Sequence, residues 1–217
     1  MAHGFARAGS VSGSSGTTTV LPITLPTALT ALSLSGGNSI TTDENSARRL
    51  VVADDTPNWK AHGEYEAVPG SAPWEKRLLL CWAHQQTGGE LAGIFVRHTD
   101  GRLLTFGFHT NPTPYYYGTA WTDENNLGSS FLSNGITDAA WRVGWLWFHV
   151  GDDNAGNIYF GVSKDGKDIG TGSGSIYPGY VSLAKASYFD PGYVGWFGAS
   201  NGAGTLSYVN ESWGDVP

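Results

Sequence analysis

The sequence has little charge and no basic cluster. Only 14% of its 217 residues are charged, and 12 Lys and Arg against 19 Asp and Glu leave a net charge of −7. The longest basic runs are the pairs Arg48-Arg49 and Lys76-Arg77. Binding to a phosphate backbone or an anionic membrane surface needs clustered Lys and Arg. We therefore expect neither nucleic acid nor a membrane as a partner.

The chain is also short of cysteine and of long apolar runs. A single cysteine, Cys81, excludes an internal disulfide framework. No apolar run approaches the roughly 20 residues of a membrane span, and residues 1–16 lack the apolar core of a signal peptide. We therefore expect the protein to be made in a reducing cytoplasm and kept there, or released by lysis.

Glycine and aromatic residues are plentiful instead. The 31 Gly and 10 Pro predict many tight turns, and nine Trp, ten Tyr and nine Phe are enough for a substantial core. This composition is typical of β-sandwiches and barrels. The low charge indicates either a surface covered in an assembly or a neutral surface rich in Ser, Thr and Asn.

Residues 1–45 differ from the rest and are predicted to form an extended arm. They contain no Trp or Tyr, and small residues dominate their start. Apolar Leu21, Ile23 and Leu25 alternate with residues 22, 24 and 26, two of which are prolines. An extended strand of this kind can pair through one edge only. The arm would anchor the protein on a neighbouring subunit, or it is a flexible linker.

From residue 46 onward the patterns predict strands and turns. Residues 102–109 (RLLTFGFH) alternate in polarity and follow residues 93–99 across Asp100-Gly101, a hairpin signal. Residues 141–150 (WRVGWLWFHV) are apolar on both faces, as in a central strand. We expect residues 111–126, with their prolines and three tyrosines, to form a long exposed loop.

Two segments carry a resemblance to a known superfamily. Residues 141–166 run from Trp141 through a strand, a turn and a second strand to Ser163-Lys164-Asp165-Gly166, and residues 191–198 read PGYVGWFG. They resemble the S-x-D-G hairpin and the G-x-V-G-x-x-G strand of the concanavalin A-like lectin and glucanase superfamily. The resemblance covers about residues 50–217. It implies an all-β, antiparallel jelly-roll sandwich over residues 46–217, behind the extended N-terminal arm.

The layout as a whole also resembles that of bacteriophage virion proteins, in which a small-residue arm precedes a lectin-like sandwich. This resemblance implies location in a virion after synthesis in the host cytoplasm. The implied partners are other virion proteins, held through the arm, and further copies of the chain in a homo-oligomer.

Catalytic patterns are weak. No string resembles the E-x-D-x-x-E strand of the superfamily's hydrolases; Glu64 and Glu66 share one face of a predicted strand, which is more often a solvated face. Ser200 lies in a G-x-S-x-G string, but no helix-forming segment and no histidine follow it. We therefore predict a protein that is not an enzyme.

The sequence allows two interpretations of metal binding. The histidines are too widely spaced for a zinc site. Asp152, Asp153 and Asn154 offer the oxygen ligands that calcium prefers, but they are also ordinary turn residues. We predict no cofactor, with calcium as the alternative.

The candidate binding residues lie in the predicted loop. The rings of Tyr115, Tyr116, Tyr117 and Trp121 would stack on sugar faces, and Asp123 and Asn125 would hydrogen-bond to hydroxyls. In the alternative interpretation, alternate tyrosines pack in the core and the loop is a subunit contact.

The sequence therefore predicts a non-enzymatic virion protein for adhesion or decoration, in the capsid, head or tail fibre, that binds host polysaccharide. A free carbohydrate-binding module is the alternative, and a glycan hydrolase or lyase is a third hypothesis.

Overall fold

The chain folds almost entirely into β-strands. The computed structural model describes residues 29–34, 38–42, 48–52, 59–83, 89–111, 113–135, 145–164, 166, 169, 180–200 and 206–215. The strands within these ranges are β1 (Thr30–Leu32), β2 (Ser39–Thr42), β3 (Arg48–Val52), β4 (His62–Ala67), β5 (Trp74–Ala83), β6 (Glu90–Arg97), β7 (Leu103–Asn111), β8 (Thr113–Asp123), β9 (Asn126–Gly135), β10 (Trp145–Asp152), β11 (Asn157–Ser163), β12 (Val181–Ala184), β13 (Tyr193–Ser200) and β14 (Leu206–Asp215). A short 3-10 turn over Lys185–Ser187 follows β12.

The strands form two seven-stranded sheets. Sheet A has the order β1-β4-β13-β6-β7-β8-β9, and sheet B has the order β12-β11-β10-β5-β14-β3-β2. Neighbouring strands run antiparallel in both sheets. Chain neighbours such as β6 and β7 form hairpins, whereas β13 inserts between β4 and β6 from far along the sequence. The predicted all-β, antiparallel jelly-roll sandwich is confirmed.

The main core lies between the sheets. The contribution of β7 follows the alternation of apolar residues that the sequence predicts. Leu104, Phe106 and Phe108 all point inward and are buried. Phe106 stacks against Phe160 of sheet B with ring centroids 5.7 Å apart. Burial of large aromatic and aliphatic side chains on both inner faces is what holds the two sheets together.

Sheet A also carries an apolar cluster on the face turned away from sheet B, here called its outer face. Leu91, Phe95 and Phe197 are fully or almost fully buried there. Trp59, in the segment leading into β4, packs against this cluster. A Cβ at Gly195 would lie 2.6 Å from the Phe95 ring, so glycine gives that ring room to lie on the sheet. Sheet A is therefore apolar on both faces, and its outer face is not a simple solvated surface.

The prediction of a long loop over residues 111–126 is wrong. Most of this stretch is β8, which pairs with β7 from Leu103↔Trp121 to Asn111↔Thr113. Tyrosine, threonine and tryptophan favour strands. Pro114 is tolerated because the ladder between β8 and β9 ends at Tyr115, one residue away.

The predicted start of the sandwich at residue 46 is also corrected. β1 pairs with β4 in sheet A, and β2 pairs with β3 in sheet B. Leu32 of β1 is buried in the outer-face cluster. Both sheets therefore use chain that was predicted to belong to the arm. Leu21, Ile23 and Leu25 lie outside the described residues, so their anchoring role stays a prediction.

Within the described part of the chain, there is no helix with the length and apolar character that crossing a membrane requires.

Candidate functional site

Four aromatic side chains meet on the outer face of sheet A and are called the tyrosine cluster here: Trp59, His109, Tyr115 and Tyr117. The register places His109 directly opposite Tyr115 on the neighbouring strand. The His109 ring stacks on Tyr115 at 4.6 Å between centroids and meets Tyr117 at 5.4 Å and Trp59 at 5.6 Å. Trp59, Tyr115 and Tyr117 are each half-buried, so their rings are partly open to solvent.

His109 is the buried centre of the tyrosine cluster. It is 4% exposed, and its Nδ1 atom has no hydrogen-bond partner within the described ranges. Burial lowers the pKa of His109 to about 4 because the charged imidazolium loses its hydration. The ring is therefore neutral at pH 7, with an unpartnered nitrogen among aromatic rings.

The structure separates the three consecutive tyrosines. Because side chains alternate across a strand, Tyr115 and Tyr117 lie on the outer face and Tyr116 points between the sheets. Tyr116 is fully buried and stacks on Phe106 at 6.1 Å. The predicted glycan contact is corrected for Tyr116, which has no ring face open to a ligand.

The same correction applies to Trp121. It is 2% exposed, and its indole Nε1 donates to the hydroxyls of Thr105 at 2.9 Å and Thr119 at 2.8 Å. The two threonine hydroxyls are themselves 2.7 Å apart. The Trp121 indole therefore completes a buried hydrogen-bonded group with the two threonines on sheet A. Neither face of its ring is free for a sugar.

Asp123 and Asn125 lie away from the tyrosine cluster. Asp123 Oδ1 accepts hydrogen bonds from the Asn125 backbone N–H and from Asn126 Nδ2, both at 2.8 Å, which folds the turn between β8 and β9. Six residues of strand separate Asp123 from Tyr117, a distance of about 20 Å. The structure does not bring the predicted stacking and hydrogen-bonding residues together.

A second aromatic group on the outer face was missed from the sequence and is called the arginine site here. The Arg97 guanidinium lies 5.3 Å from the Tyr65 ring centroid and 5.7 Å from that of Tyr193. The two tyrosines meet edge to face at 5.2 Å. The three residues come from β4, β6 and β13, so only the pairing of distant strands reveals the group.

The predicted solvated face for Glu64 and Glu66 is wrong. Both carboxylates share one face of β4, as predicted, but they pair with cations of sheet B. Arg48 Nη1 lies 2.5 Å from Glu64 Oε1, and Lys76 Nζ lies 2.6 Å from Glu66 Oε1. Burial raises the pKa of Glu64, while the Arg48 charge and the Trp196 indole act against that rise. These ion pairs join the two sheets.

A hydrogen-bonded chain on the outer face of sheet B has the connectivity of a catalytic triad. Ser163 Oγ lies 2.6 Å from His149 Nε2, and His149 Nδ1 lies 2.8 Å from Glu75 Oε1. Burial by itself raises the pKa of Glu75, but hydrogen bonds from His149, Arg77 and Tyr159 outweigh it and lower that pKa to about 2.

Burial of Ser163 argues against a catalytic role for this hydrogen-bonded group of three residues. Ser163 is 1% exposed and His149 is fully buried. Ser163 Oγ also accepts the Gly166 backbone N–H at 3.0 Å, which folds the turn after β11. Ser200, in the G-x-S-x-G string, is a buried residue at the end of β13. Both serines therefore have structural positions.

The candidate calcium ligands fold a hairpin. Asp152 Oδ1 accepts the Asn154 N–H at 2.9 Å, and its Oδ2 accepts Lys185 Nζ at 2.8 Å. Asp153 Oδ1 accepts backbone N–H groups of residues 155 and 157 at 2.7 and 3.0 Å. Among the described residues, no three His, Cys, Asp or Glu side chains are grouped to hold a metal ion. A calcium ion here would compete with these bonds, and the calcium alternative stays a prediction.

Comparison with known proteins identifies the fold. No protein-family description matches the sequence, and no curated protein does so. The legume lectin-like domain from Entamoeba histolytica aligns with a TM-score of 0.52 and 13% identity, over 82% of this chain and 87% of that one. A GH43 protein from Bacillus licheniformis aligns with a TM-score of 0.51 and 16% identity, over 79% of this chain and 33% of that one. This chain thus matches about a third of the GH43 protein.

A third solved structure is the CBM2 module of the evolved Dit protein from Lactobacillus casei BL23 phage J-1. It aligns with a TM-score of 0.47 and 10% identity, over 82% of this chain and 78% of that one. The two alignments with TM-scores above 0.5 show a shared jelly-roll sandwich fold, and fold alone does not define function.

Proposed function

We propose that the protein is a non-catalytic carbohydrate-binding sandwich that uses the outer face of sheet A. The observation that carries this proposal is the tyrosine cluster, in which half-buried Trp59, Tyr115 and Tyr117 surround a buried neutral His109. Flat aromatic rings bind the apolar C–H faces of sugars. The rings are already packed against one another, so little side-chain entropy is lost on binding.

The comparison with the lectin-like domain supports a binding role for this fold. That domain shares the sandwich over most of both chains. Fold alone does not define function, so the proposal depends on the tyrosine cluster.

We propose further that the protein acts in a virion, in adhesion or decoration. The support is the sequence layout: a small-residue segment of low charge precedes the sandwich, and only 14% of the whole chain is charged. Other virion proteins and further copies of the chain would be its partners, after synthesis in the host cytoplasm. Repetition on a particle would turn weak sugar sites into useful avidity.

Removal of the N-terminal segment separates this role from that of a free carbohydrate-binding module. We would compare the full chain with a chain lacking residues 1–28, which keeps every described strand. The virion role predicts that the full chain forms oligomers in light scattering and that the shortened chain is monomeric with an unchanged circular dichroism spectrum. Identical monomers that both bind glycan would favour the free module.

The triad-like chain of Ser163, His149 and Glu75 is the observation that favours a hydrolase. We propose a structural role instead, because a nucleophile must reach its substrate and Ser163 is buried beneath its own turn. Release of reducing sugar by the full chain, abolished in Ser163→Ala but not in a Ser182→Ala control, would favour the hydrolase.

The test of glycan binding uses the full chain displayed on beads, because multivalent display raises weak affinities into a measurable range. We expect at least one bacterial surface polysaccharide in a panel to bind. The double variant Tyr115→Ala/Tyr117→Ala should lose that binding, whereas Tyr180→Ala, a half-buried tyrosine beside sheet B, should keep it. Binding that survives in the double variant would place the site elsewhere.

A further inference from the structure

We propose that the glycan recognised by this face is acidic, and that Arg97 binds its carboxylate. This inference rests on the proposed carbohydrate-binding function and names the class of sugar. It comes from the arginine site, which the tyrosine cluster does not include.

Among the described residues, Arg97 is a cation without an anionic partner. Its guanidinium packs against the rings of Tyr65 and Tyr193, and it forms no ion pair with any residue in the described part of the chain. Its Nε is buried and has no hydrogen-bond partner in that part of the chain. Aromatic contacts hold the guanidinium plane in place, but they satisfy none of its N–H donors.

Three other arginines do have carboxylate partners. Arg48 pairs with Glu64, Arg77 with Glu75, and Arg102 with Asp100. The chain has seven more acidic than basic residues, 19 against 12, so carboxylates for pairing are abundant. A half-buried arginine with no ion pair among the described residues of such a protein points to an anion supplied from outside.

The chemistry of the site favours a sugar carboxylate. A guanidinium presents a planar fork of donors that matches a carboxylate in two parallel hydrogen bonds. The half-buried rings of Tyr65 and Tyr193 lie beside that fork, and they can pack against the pyranose that carries the carboxylate. A uronic acid residue combines these two features in one ring.

The arginine site and the tyrosine cluster can be contacted by one polymer. Arg97 and Tyr117 lie two strands apart, on β6 and β8, and the register offsets them by four residues along the strands. Strand spacing and rise put them roughly 16 Å apart. A single sugar cannot contact both groups, so the inference is specific to an acidic polysaccharide.

The experiment measures binding of the full chain to polygalacturonate and hyaluronate, to the neutral methyl ester of each polymer, and to dextran sulfate. We expect at least one uronate polymer to bind about tenfold or more tightly than its ester, as a charge-assisted pair predicts. Arg97→Gln should remove that preference and leave binding of the ester unchanged. Arg97→Lys, which keeps the charge but not the fork, should restore only part of it.

Arg102→Gln is the matched control, because it removes one positive charge from an exposed arginine that already has a carboxylate partner. It should keep the full preference.

Three results would overturn the inference: no uronate polymer preferred over its ester, a preference that survives Arg97→Gln, or equal loss in Arg102→Gln with strong binding of dextran sulfate. In any of these three cases, binding of the neutral esters to the full chain would still support the proposed carbohydrate-binding function. If no polysaccharide binds, including those of the bead panel above, both the inference and the proposed function are rejected.

Discussion

The imidazole of His109 stacks on the ring of Tyr115 with centroids 4.6 Å apart. The contact joins neighbouring strands β7 and β8 across a directly opposed pair. It therefore links the candidate binding site to the stability of sheet A, and a change at either residue has a structural as well as a functional consequence.

Replacement of His109 by phenylalanine should flatten the dependence of stability on pH. The folded pKa is lowered to about 4 by burial, so between pH 6.5 and 4 the unfolded chain takes up a proton that the folded chain resists. The wild type should lose stability as pH falls through that window, and His109→Phe should lose less. Urea denaturation at pH 7, 5.5 and 4 measures the difference, with His98→Phe as a half-exposed control. Equal slopes in wild type and His109→Phe would contradict the burial.

Trp121→Phe should destabilise the fold by about 1–3 kcal/mol without changing glycan specificity. The substitution removes the indole donor shared by Thr105 and Thr119 and leaves a smaller ring in a buried space. Thr122→Ala, at an exposed neighbour, should change stability by less than about 0.5 kcal/mol. Urea denaturation checks both. A Trp121→Phe variant of unchanged stability that has lost glycan binding would restore Trp121 as a contact residue.

Removal of one partner of the ion pair between the sheets should cost more than removal of both. Arg48→Met leaves the buried Glu64 carboxylate without its cation, a loss of about 3–5 kcal/mol. The double variant Arg48→Met/Glu64→Leu should recover most of this. Loss of the solvent-screened pair in Asp100→Asn should cost much less than loss of the Arg48–Glu64 pair. Additive effects in the double-mutant cycle would show that the pair is not coupled.

Ser163→Ala should destabilise the fold, and it should remove no catalytic activity because the wild type has none at this serine. The substitution removes the acceptor for the Gly166 N–H and the partner of His149, at a cost of about 1–3 kcal/mol. A fluorophosphonate probe, which labels activated serines, should label neither the wild type nor the variant. Labelling of the native protein that disappears in Ser163→Ala would assign a nucleophile.

Local patterns in the sequence were sufficient to predict much of the fold. The alternation over residues 102–109 places Phe106 inside, and Asp100-Gly101 forms the predicted hairpin, with Gly101 at φ 104. The turn over residues 152–156 is also formed as expected. These features depend on residues close in the chain, so composition and period determine them.

The candidate site could be predicted only in part, because it depends on pairing between distant strands. The sequence singles out Tyr115 and Tyr117, but it does not show that Trp59 covers the same face. Trp121 has an aromatic side chain suited to a ligand, and only tertiary packing reveals that it is buried. Arg97 meets Tyr193 because β13 inserts beside β6, an arrangement that no local signal encodes.

The most direct test of the central claim compares Tyr117→Phe with Tyr117→Ala in the full chain, by calorimetric titration with the polysaccharide that the wild type binds best. Stacking needs the ring and not the hydroxyl, so Tyr117→Phe should bind within about threefold of wild type, and Tyr117→Ala should bind at least about tenfold more weakly. Unchanged melting temperatures would assign the loss to the site. Equal affinity in wild type and both variants would contradict the account, because the tyrosine cluster would then not be the surface that holds the sugar.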